Sequence, residues 1–500
     1  MPASRRSRRS MPKVRTGCAI CKSRRVKCDE ERPSCRRCVS TGRDCPGYTE
    51  ELRPSVAIKI YKIPFKAPGS RQDRELLHFF CCETAGCLSR FSDTTLWTHL
   101  ILQRSQHQPV IRNALVTLSS LHRDYLRVGS ALLEVSSKNI KLILRSHKQL
   151  LHLLGRDASP EAALICSLIF YIFECLIGNT QLAIWHLDQG LKLLRQCCMD
   201  QTLDAGSDTT SAQLVAVFTR LDIHASIFSY ERIPILELTS TKQVSGLASV
   251  VPEQFSSLTD AEETLVVLQN WTMRHLVLYV EYKLKPLDEV PANILHERLQ
   301  LEIEFRRLED GIANVGSDPH KETFTVSDVQ RKLLLQSQTS TFHGALLETF
   351  LLPFSQSDTS VQAYYKFELA LNQISSLLSL SNTSKNSAAS NRDFTLSTNI
   401  IAMLYFICMK TRSCRILHMA LSLMQDSLSS ARDGLWDARK AAVVIQAMLS
   451  DGDKDSDDPE IVAKLEDVGS GILDASSGLD EVFQMLRISE SLDSKDPLKK

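Results

Sequence analysis

The sequence predicts a mostly α-helical protein with a small cysteine-rich module at its amino terminus. From Asp73 onward, apolar residues recur at spacings of three and four, as in RELLHFF and QLAIWHLDQGLKLLRQ, a pattern typical of amphipathic helices. Strand-like alternation is sparse in the same region. Six of the 15 cysteines lie between residues 18 and 45, so the chain divides into a sulfur-rich head and a helical body.

The charge of the chain is distributed unevenly between these two parts. Residues 1–48 contain 14 Lys or Arg against 4 Asp or Glu, a net charge of +10, whereas the remainder contains 45 against 54, a net charge of −9. A basic head on an acidic body predicts a polyanionic partner for the head alone.

The cysteines are expected to be reduced thiols. The start of the chain, MPASRRSRRSMPKVR, is basic and polar and lacks the apolar stretch of a secretory signal, which predicts an intracellular protein. Clustered cysteines in such proteins bind metal more often than they form disulfides.

The longest apolar run, residues 162–177, is shorter than the ~20 residues needed to span a bilayer and contains Glu174, so we expect a buried core helix and no membrane segment.

The cysteine spacing indicates a metal site built from two similar halves. The pattern is C-x2-C-x6-C, followed after six residues by the same pattern, and the cysteines are Cys18, Cys21, Cys28, Cys35, Cys38 and Cys45. A C-x2-C pair brings two thiolates to one tetrahedral zinc ion from a single turn. No histidine precedes His78, which excludes a mixed cysteine–histidine finger within the head.

Counting ligands predicts two zinc ions that share sulfurs. Two tetrahedral ions require about eight ligand positions, and six cysteines fill them only if two thiolates bridge both ions. Cys18 and Cys35 occupy the leading position of each half and are the bridging candidates by symmetry. The surrounding lysines and arginines would stabilise the resulting excess of negative charge.

The basic residues are also concentrated in one interval. Lys22, Arg24, Arg25 and Lys27 all lie between Cys21 and Cys28, on what the pattern predicts to be a short helix after Cys21. Zinc binding alone does not require this concentration, whereas entry into a nucleic-acid major groove does.

These residues resemble the fungal binuclear zinc-cluster transcription factors. The resemblance covers the six cysteine spacings, the basic run KSRRVKCD, Pro33 and GRDCPGY. It implies that the first and fourth cysteines bridge the two Zn²⁺ ions, that Pro33 shapes the loop between the halves, and that Arg24 and Arg25 contact base edges of a CGG triplet. Arginine suits guanine because its planar fork pairs with O6 and N7 together. The phosphate contacts expected beside them are Arg15, Lys22, Lys27 and Arg37.

The helical body resembles the fungal-specific transcription factor domain over roughly residues 73 to 230, in stretches such as DRELLHFF and LWTHLILQRSQHQPVIRNALVTLSSLH. The resemblance implies an all-helical regulatory body without catalytic residues. We find no nucleophile elbow, Walker motif, metalloprotease motif or dinucleotide fingerprint, so no enzyme is expected. His78, Cys81, Cys82 and Cys87 are interpreted as core packing, and Glu174 as a buried carboxylate with a hydrogen-bond or salt-bridge partner.

The predicted organisation has five segments: a basic arm (1–16), the binuclear cluster (17–48), a proline-containing linker (49–72), the helical regulatory domain (73–450) and an acidic carboxy-terminal segment (451–500). The linker contains no heptad repeat, which disfavours dimerisation beside the cluster. The acidic segment includes GLDEVFQMLRISESLD, which suits either an activation segment or an amphipathic helix that packs on the body.

The predicted function is a nuclear, sequence-specific regulator of RNA polymerase II genes. Its expected partners are double-stranded DNA with CGG-type half-sites and, beyond DNA, transcription machinery or coactivators. A zinc-dependent RNA-binding or zinc-storage module is the alternative. Residues 1–45 contain no Phe, Tyr or Trp for base stacking, which disfavours RNA. A storage protein would not need the arginine pair.

Overall fold

The computed structural model describes most of the chain and forms two compact units. The described residues are 17–47, 69–91, 94–127, 135–154, 159–199, 209–229, 231–282, 285–315, 325–348, 356–383, 392–411 and 413–451. The units are Met1–Lys62 and Ile63–Lys500. The basic arm with Arg15, most of the predicted linker and the acidic segment after Asp451 lie outside the described residues.

The amino-terminal unit is built around its cysteines. It contains two short helices, α1 (Ala19–Ser23) and α2 (Arg36–Val39). The peptide bond between Arg32 and Pro33, in the loop that joins them, is cis. Its buried core consists of the sulfur-bearing side chains, with Ile20 packed against them.

The second unit is largely helical, as the sequence predicts. The helices that follow α2 are α3 (Arg71–Phe79), α4 (Ala85–Leu88), α5 (Ile101–His107), α6 (Pro109–Arg127), α7 (Ser137–Leu154), α8 (Pro160–Ile177), α9 (Thr180–Met199), α10 (Thr209–Phe228), α11 (Thr241–Val244), α12 (Leu258–Leu278), α13 (Ala292–Asn314), α14 (Val326–Leu347), α15 (Gln356–Thr383), α16 (Ile400–Lys410), α17 (Cys414–Ser422) and α18 (Ala438–Asp451). Single π-helical turns occur at Phe80–Thr84, Leu96–Leu100 and Leu423–Ser427, and short 3₁₀ turns at Val280–Tyr282 and Leu287–Glu289.

Helix α8 is the centre of the body. It is apolar on all sides and almost every residue from Ala162 to Leu176 is buried, as expected for a core helix. It begins with Pro160 in its first turn and ends at Gly178, whose φ of 95° suits glycine. This helix is long and apolar enough to cross a membrane, but 78% of it is buried inside the protein, which confirms the predicted core helix.

Helices α6 and α9 pack on either side of α8, and α7 lies against α6. The carboxy-terminal half adds a second group of helices in which α14 packs along α15 and against α12 and α13. One continuous apolar core joins the two groups, extending from Leu76 in α3 to Ile445 in α18.

The described part of the body also contains short strands, which the sequence did not predict. A small sheet contains β1 (Asp393–Thr395), parallel to β2 (Ala431–Asp433), which in turn pairs with β3 (Trp436–Asp437) in antiparallel register. The Asp433 carboxylate accepts hydrogen bonds from the Thr395 and Thr398 hydroxyls at 2.9 and 2.8 Å. Strands of two or three residues are too short to give a sequence alternation, and this buried carboxylate stabilises them instead.

Candidate metal centre and nucleic-acid interface

The six cysteines form two overlapping groups of four sulfur atoms. One group is Cys18, Cys21, Cys28 and Cys35, and the other is Cys18, Cys35, Cys38 and Cys45, each with its sulfurs within 4.8 Å of one another. Both groups contain Cys18 and Cys35, whose Sγ atoms lie 3.7 Å apart. Zinc–sulfur bonds of about 2.3 Å in a tetrahedron place ligand sulfurs about 3.8 Å apart, so the arrangement fits two metal ions that share two thiolates.

The two halves of the cluster have the same local backbone arrangement. Cys18 and Cys35 each precede a short helix, and their Sγ atoms accept hydrogen bonds from the backbone N–H groups of Cys21 and Cys38 at 3.4 and 3.3 Å. These N–H groups favour negative charge on sulfur. The sequence repeat is therefore also a structural repeat, with an offset of 17 residues between the two bridging candidates.

Burial disfavours the ionised form of these thiols when no cation is bound to them. Burial raises the pKa of the Cys21 thiol to about 12 and raises the pKa values of Cys35 and Cys38 as well. A hydrogen bond with the Cys35 backbone lowers the pKa of Cys45. Thiolates in this setting need bound cations, and an all-sulfur tetrahedral donor set suits Zn²⁺.

Asp29 holds the second helix against the first half. Its carboxylate accepts hydrogen bonds from the backbone N–H groups of Arg36 at 2.9 Å and Arg37 at 3.3 Å. Although desolvation opposes ionisation, these bonds lower the pKa of Asp29. No sequence pattern predicts this role for Asp29, and the only signal is its position directly after Cys28.

Gly17 is a second residue that sequence analysis did not single out. A Cβ atom at this position would lie 2.8 Å from Cys28 Cβ, closer than normal contact. The absence of a side chain therefore permits the chain to approach a metal-binding cysteine.

The predicted helix after Cys21 is shorter than expected and begins earlier. Helix α1 ends at Ser23, so only Lys22 of the four clustered basic residues lies within it, and Arg24 caps its carboxy end. The reason is a turn that stops the helix: Arg25 N–H bonds to Lys22 C=O and Val26 N–H to Cys21 C=O, both at 3.1 Å. The prediction that Arg24 and Arg25 project from this helix is wrong.

Arg25 occupies a backbone conformation that favours glycine. Its φ is +57°, in the left-handed region. The equivalent residue of the second half is Gly42, with φ of +63° and the same hydrogen bonds, from Gly42 to Val39 and from Arg43 to Cys38, at 3.0 Å. The left-handed conformation costs a residue with a side chain roughly 1–2 kcal/mol. The first half therefore places an exposed arginine at a position where its own repeat has glycine.

The other predicted DNA-contacting side chains surround this turn. The Arg24 guanidinium donates to the Thr41 hydroxyl of the second half at 3.3 Å. Lys22, Lys27 and Arg37 are exposed, whereas Arg15 lies outside the described residues.

The histidine and three cysteines that were interpreted as core packing in the body are only partly buried. His78 and Cys82 are exposed and Cys81 and Cys87 half-buried, so core packing is wrong for the first two. The π-helical turn Phe80–Thr84 inserts an extra residue, which changes the helical register and turns Cys82 towards His78, 3.7 Å away. Within the described part of the chain, only the six amino-terminal cysteines form groups of three or more potential ligands.

Glu174 is fully buried in α8, but it forms no ion pair with any described residue. Its Oε2 atom has no hydrogen-bond partner there, and burial raises the pKa of its carboxyl to about 8. The salt bridge, one of the two expected partners, is therefore absent from the described structure, and burial favours the protonated form of this carboxyl.

Two protein-family models match this chain, one in each unit. Residues 16–55 match the fungal Zn(2)-Cys(6) binuclear cluster domain, and residues 75–262 match the fungal specific transcription factor domain. The chain carries a fungal Zn(2)-Cys(6) binuclear cluster domain and a fungal specific transcription factor domain. The cluster domain binds two zinc ions, and the two overlapping sulfur groups of this chain fit that content.

Known transcription regulators match parts of the chain. An aspercryptin biosynthesis cluster-specific transcription regulator of Emericella nidulans is 30% identical over 216 residues, which are 36% of this chain and 35% of the relative. The transcription regulator lscL of Purpureocillium lilacinum is 28% identical over 216 residues, 38% of this chain and 51% of the relative. The chain thus matches between about a third and a half of the length of these two relatives.

The sterol uptake control protein 2 of Candida albicans is 49% identical over 60 residues, 12% of this chain and 8% of that protein. No solved structure matches the chain.

Proposed function

We propose that the chain is a nuclear, sequence-specific DNA-binding regulator of RNA polymerase II genes, and that its zinc cluster reads CGG-type sites in double-stranded DNA. In this proposal the six cysteines hold two Zn²⁺ ions, with Cys18 and Cys35 bridging. The cluster (17–48) binds DNA, the helical domain (73–450) receives regulatory input, and no catalysis is involved. The sulfur geometry and the domain matches support this division.

The observation that carries the proposal is the conformation of Arg25. A solvent-exposed arginine in a strained turn, where the equivalent residue is Gly42, indicates that its side chain is needed for a purpose other than folding. A guanidinium held by a metal-organised turn suits bidentate pairing with guanine O6 and N7. We assign Arg25 the leading base contact.

Arg24 is assigned a weaker base contact because its guanidinium already donates to Thr41. Lys22, Lys27, Arg37 and Arg15 are proposed to contact phosphates, which increases affinity without sequence preference. RNA binding is the second candidate, but residues 17–47 contain no aromatic side chain for stacking on an unpaired base.

The test is competition binding of the full chain to CGG-containing and scrambled duplexes at two salt concentrations. Arg25→Gly should keep both zinc ions, because glycine suits the turn, and should lose about 5- to 150-fold of the preference for CGG. Lys22→Ala is the matched control: it should weaken binding to both duplexes equally and reduce the salt slope by about 1. Full discrimination by Arg25→Gly would show that this side chain does not read bases.

A further inference from the structure

Helix α7 (Ser137–Leu154) presents a continuous basic stripe to solvent. The stripe consists of Lys138, Lys141, Arg145, Lys148 and His152, all exposed. Their spacing of three or four residues places them on one face of the helix, over a length of about 21 Å.

The stripe has no acidic counterpart on its own helix or elsewhere among the described residues. No Asp or Glu occurs in α7, and no ion pair joins the five side chains to a described carboxylate. Several other arginines of the body are paired with carboxylates, as Arg71 is with Glu75 at 2.9 Å and Arg331 with Glu262 at 2.8 Å. An unneutralised stripe on a body of net negative charge indicates an acidic partner.

Two exposed leucines indicate what kind of acidic partner fits. Leu144 is 37% exposed and Leu151 is 47% exposed, and their separation of seven residues places them in one row beside the stripe. A nucleic-acid backbone would use the charges but not the leucines. A peptide that carries both acidic and apolar side chains uses both.

The opposite face of α7 holds the stripe in place. The Ser146 hydroxyl lies 2.9 Å from that of Thr117, Asn113 donates to Gln149 at 2.6 Å, and Ser120 donates to Asn139 at 2.7 Å. These bonds fix α7 to α6, so a partner would meet an ordered surface and lose little entropy in ordering it.

The acidic carboxy-terminal segment of the same chain has the complementary composition. Residues 478–493, GLDEVFQMLRISESLD, contain four carboxylates against one arginine. Leu479, Phe483 and Leu486 recur at spacings of four and three, which predicts an apolar helical face. We propose that this segment docks on α7, with its carboxylates on the basic stripe and its apolar residues on Leu144 and Leu151.

The intervening chain is long enough for this contact. Residues 452–477 separate α18 from the segment, and 26 residues of extended chain can span up to about 86 Å. A body of this size has a radius of gyration of about 21 Å, so the segment can reach any of its faces. Tethering makes docking intramolecular, at an effective concentration of the order of millimolar.

The experiment is zero-length carbodiimide cross-linking of the full chain, followed by peptide mass spectrometry. Amide bonds should join Lys138 and Lys141 to Glu490 or to the neighbouring carboxylates, and their yield should fall as salt is added. Arg145→Glu with Lys148→Glu retains the two reporter lysines and should reduce the yield by roughly fivefold or more, since each exposed ion pair contributes a modest part of the attraction.

Two further variants separate charge from packing. Leu144→Ser with Leu151→Ser should also reduce the yield, which phosphate binding would not require. Lys192→Glu with Arg195→Glu, an equal charge change on exposed residues of α9, is the matched control and should leave the yield within about twofold. Asp480→Lys with Glu481→Lys changes only the segment and should reduce the yield without affecting the body.

Mixing isotopically labelled and unlabelled protein shows whether the contact is within one chain. Cross-links confined to one isotopic form support the proposal. It would be overturned by cross-links between the two forms, by coupling of these lysines to other carboxylates, or by unchanged yield in the stripe and segment variants.

Discussion

Loss of a cysteine that belongs to both sulfur groups should affect both zinc sites, whereas loss of any of the other four should affect one. Cys18 and Cys35 belong to both groups, whereas Cys45 belongs to one. Cys18→Ala or Cys35→Ala should therefore lower the zinc content of the full chain from two ions towards none, and Cys45→Ala should leave about one. Elemental analysis of the purified variants measures this. Equal zinc loss in all three would rule out bridging by Cys18 and Cys35.

Glu174 gives the body a specific dependence on pH. The pKa of this buried carboxyl is about 8 in the folded protein and 4.5 when exposed, so the folded state retains a proton that the unfolded state loses between these values. Its contribution to the free energy of unfolding is therefore fully present below pH 4.5 and falls as pH rises towards 8.

Glu174→Gln should remove this dependence. The difference in free energy of unfolding between the variant and the wild type should therefore favour the variant more at pH 8 than at pH 5. Urea unfolding followed by helical circular dichroism measures the difference. Glu253→Gln, at an exposed position, is the control and should follow the wild type. A constant difference between Glu174→Gln and the wild type at both pH values would contradict the raised pKa.

Residues whose roles follow from spacing and valence could be predicted from the sequence, and those set by backbone conformation could not. Cysteine spacing and the ligand count of zinc identify Cys18 and Cys35 as the shared pair. The left-handed φ of Arg25 depends on where α1 stops, and the sequence contains no glycine there to mark the stop. Asp29 likewise acts through hydrogen bonds to a helix eight residues later in the chain, which no local pattern indicates.

At the scale of helices, the crossing of α9 over α8 and α10 depends on Gly190. A Cβ atom there would lie 2.5 Å from Phe218 Cε1 and 2.6 Å from Ser167 Oγ, and the Ser167 hydroxyl is already hydrogen-bonded to His186 C=O. Gly190→Ala should destabilise the body by about 1–3 kcal/mol through overpacking. Gly86→Ala in α4, where the added methyl meets nothing within 4 Å, should be neutral or stabilising by up to about 1 kcal/mol. Urea midpoints compare the two, and similar midpoints would show that α9 can move away from α8.

The presence of the helices could be predicted from the sequence, whereas the register within the helices and the short strands could not. Apolar periodicity indicated α8 and α9 directly because each has a buried face and a defined length. The π-helical turn at Phe80–Thr84 leaves no trace in that periodicity, so the exposure of Cys82 could not be predicted from it. The pairing of β1 with β2 joins residues about 40 positions apart, and local patterns contain no such information.

At the scale of the whole molecule, the chain combines a basic zinc-held head with an acidic helical body. The six thiols that could hold zinc in the described structure all lie in the head, so removal of metal should leave the fold of the body intact. In the proposed function, the basic head binds DNA. The central claim is therefore that zinc organises the DNA-reading surface.

The most direct measurement of this claim is fluorescence anisotropy of the full chain on CGG-containing and scrambled duplexes, before chelation, after chelation and after zinc is restored. We expect preference for the CGG duplex only in the zinc-loaded states, while the helical circular dichroism of the body persists throughout. Equal preference for CGG before and after complete zinc removal would contradict the account, because the turn that presents Arg25 depends on the metal-bound cysteines on either side of it.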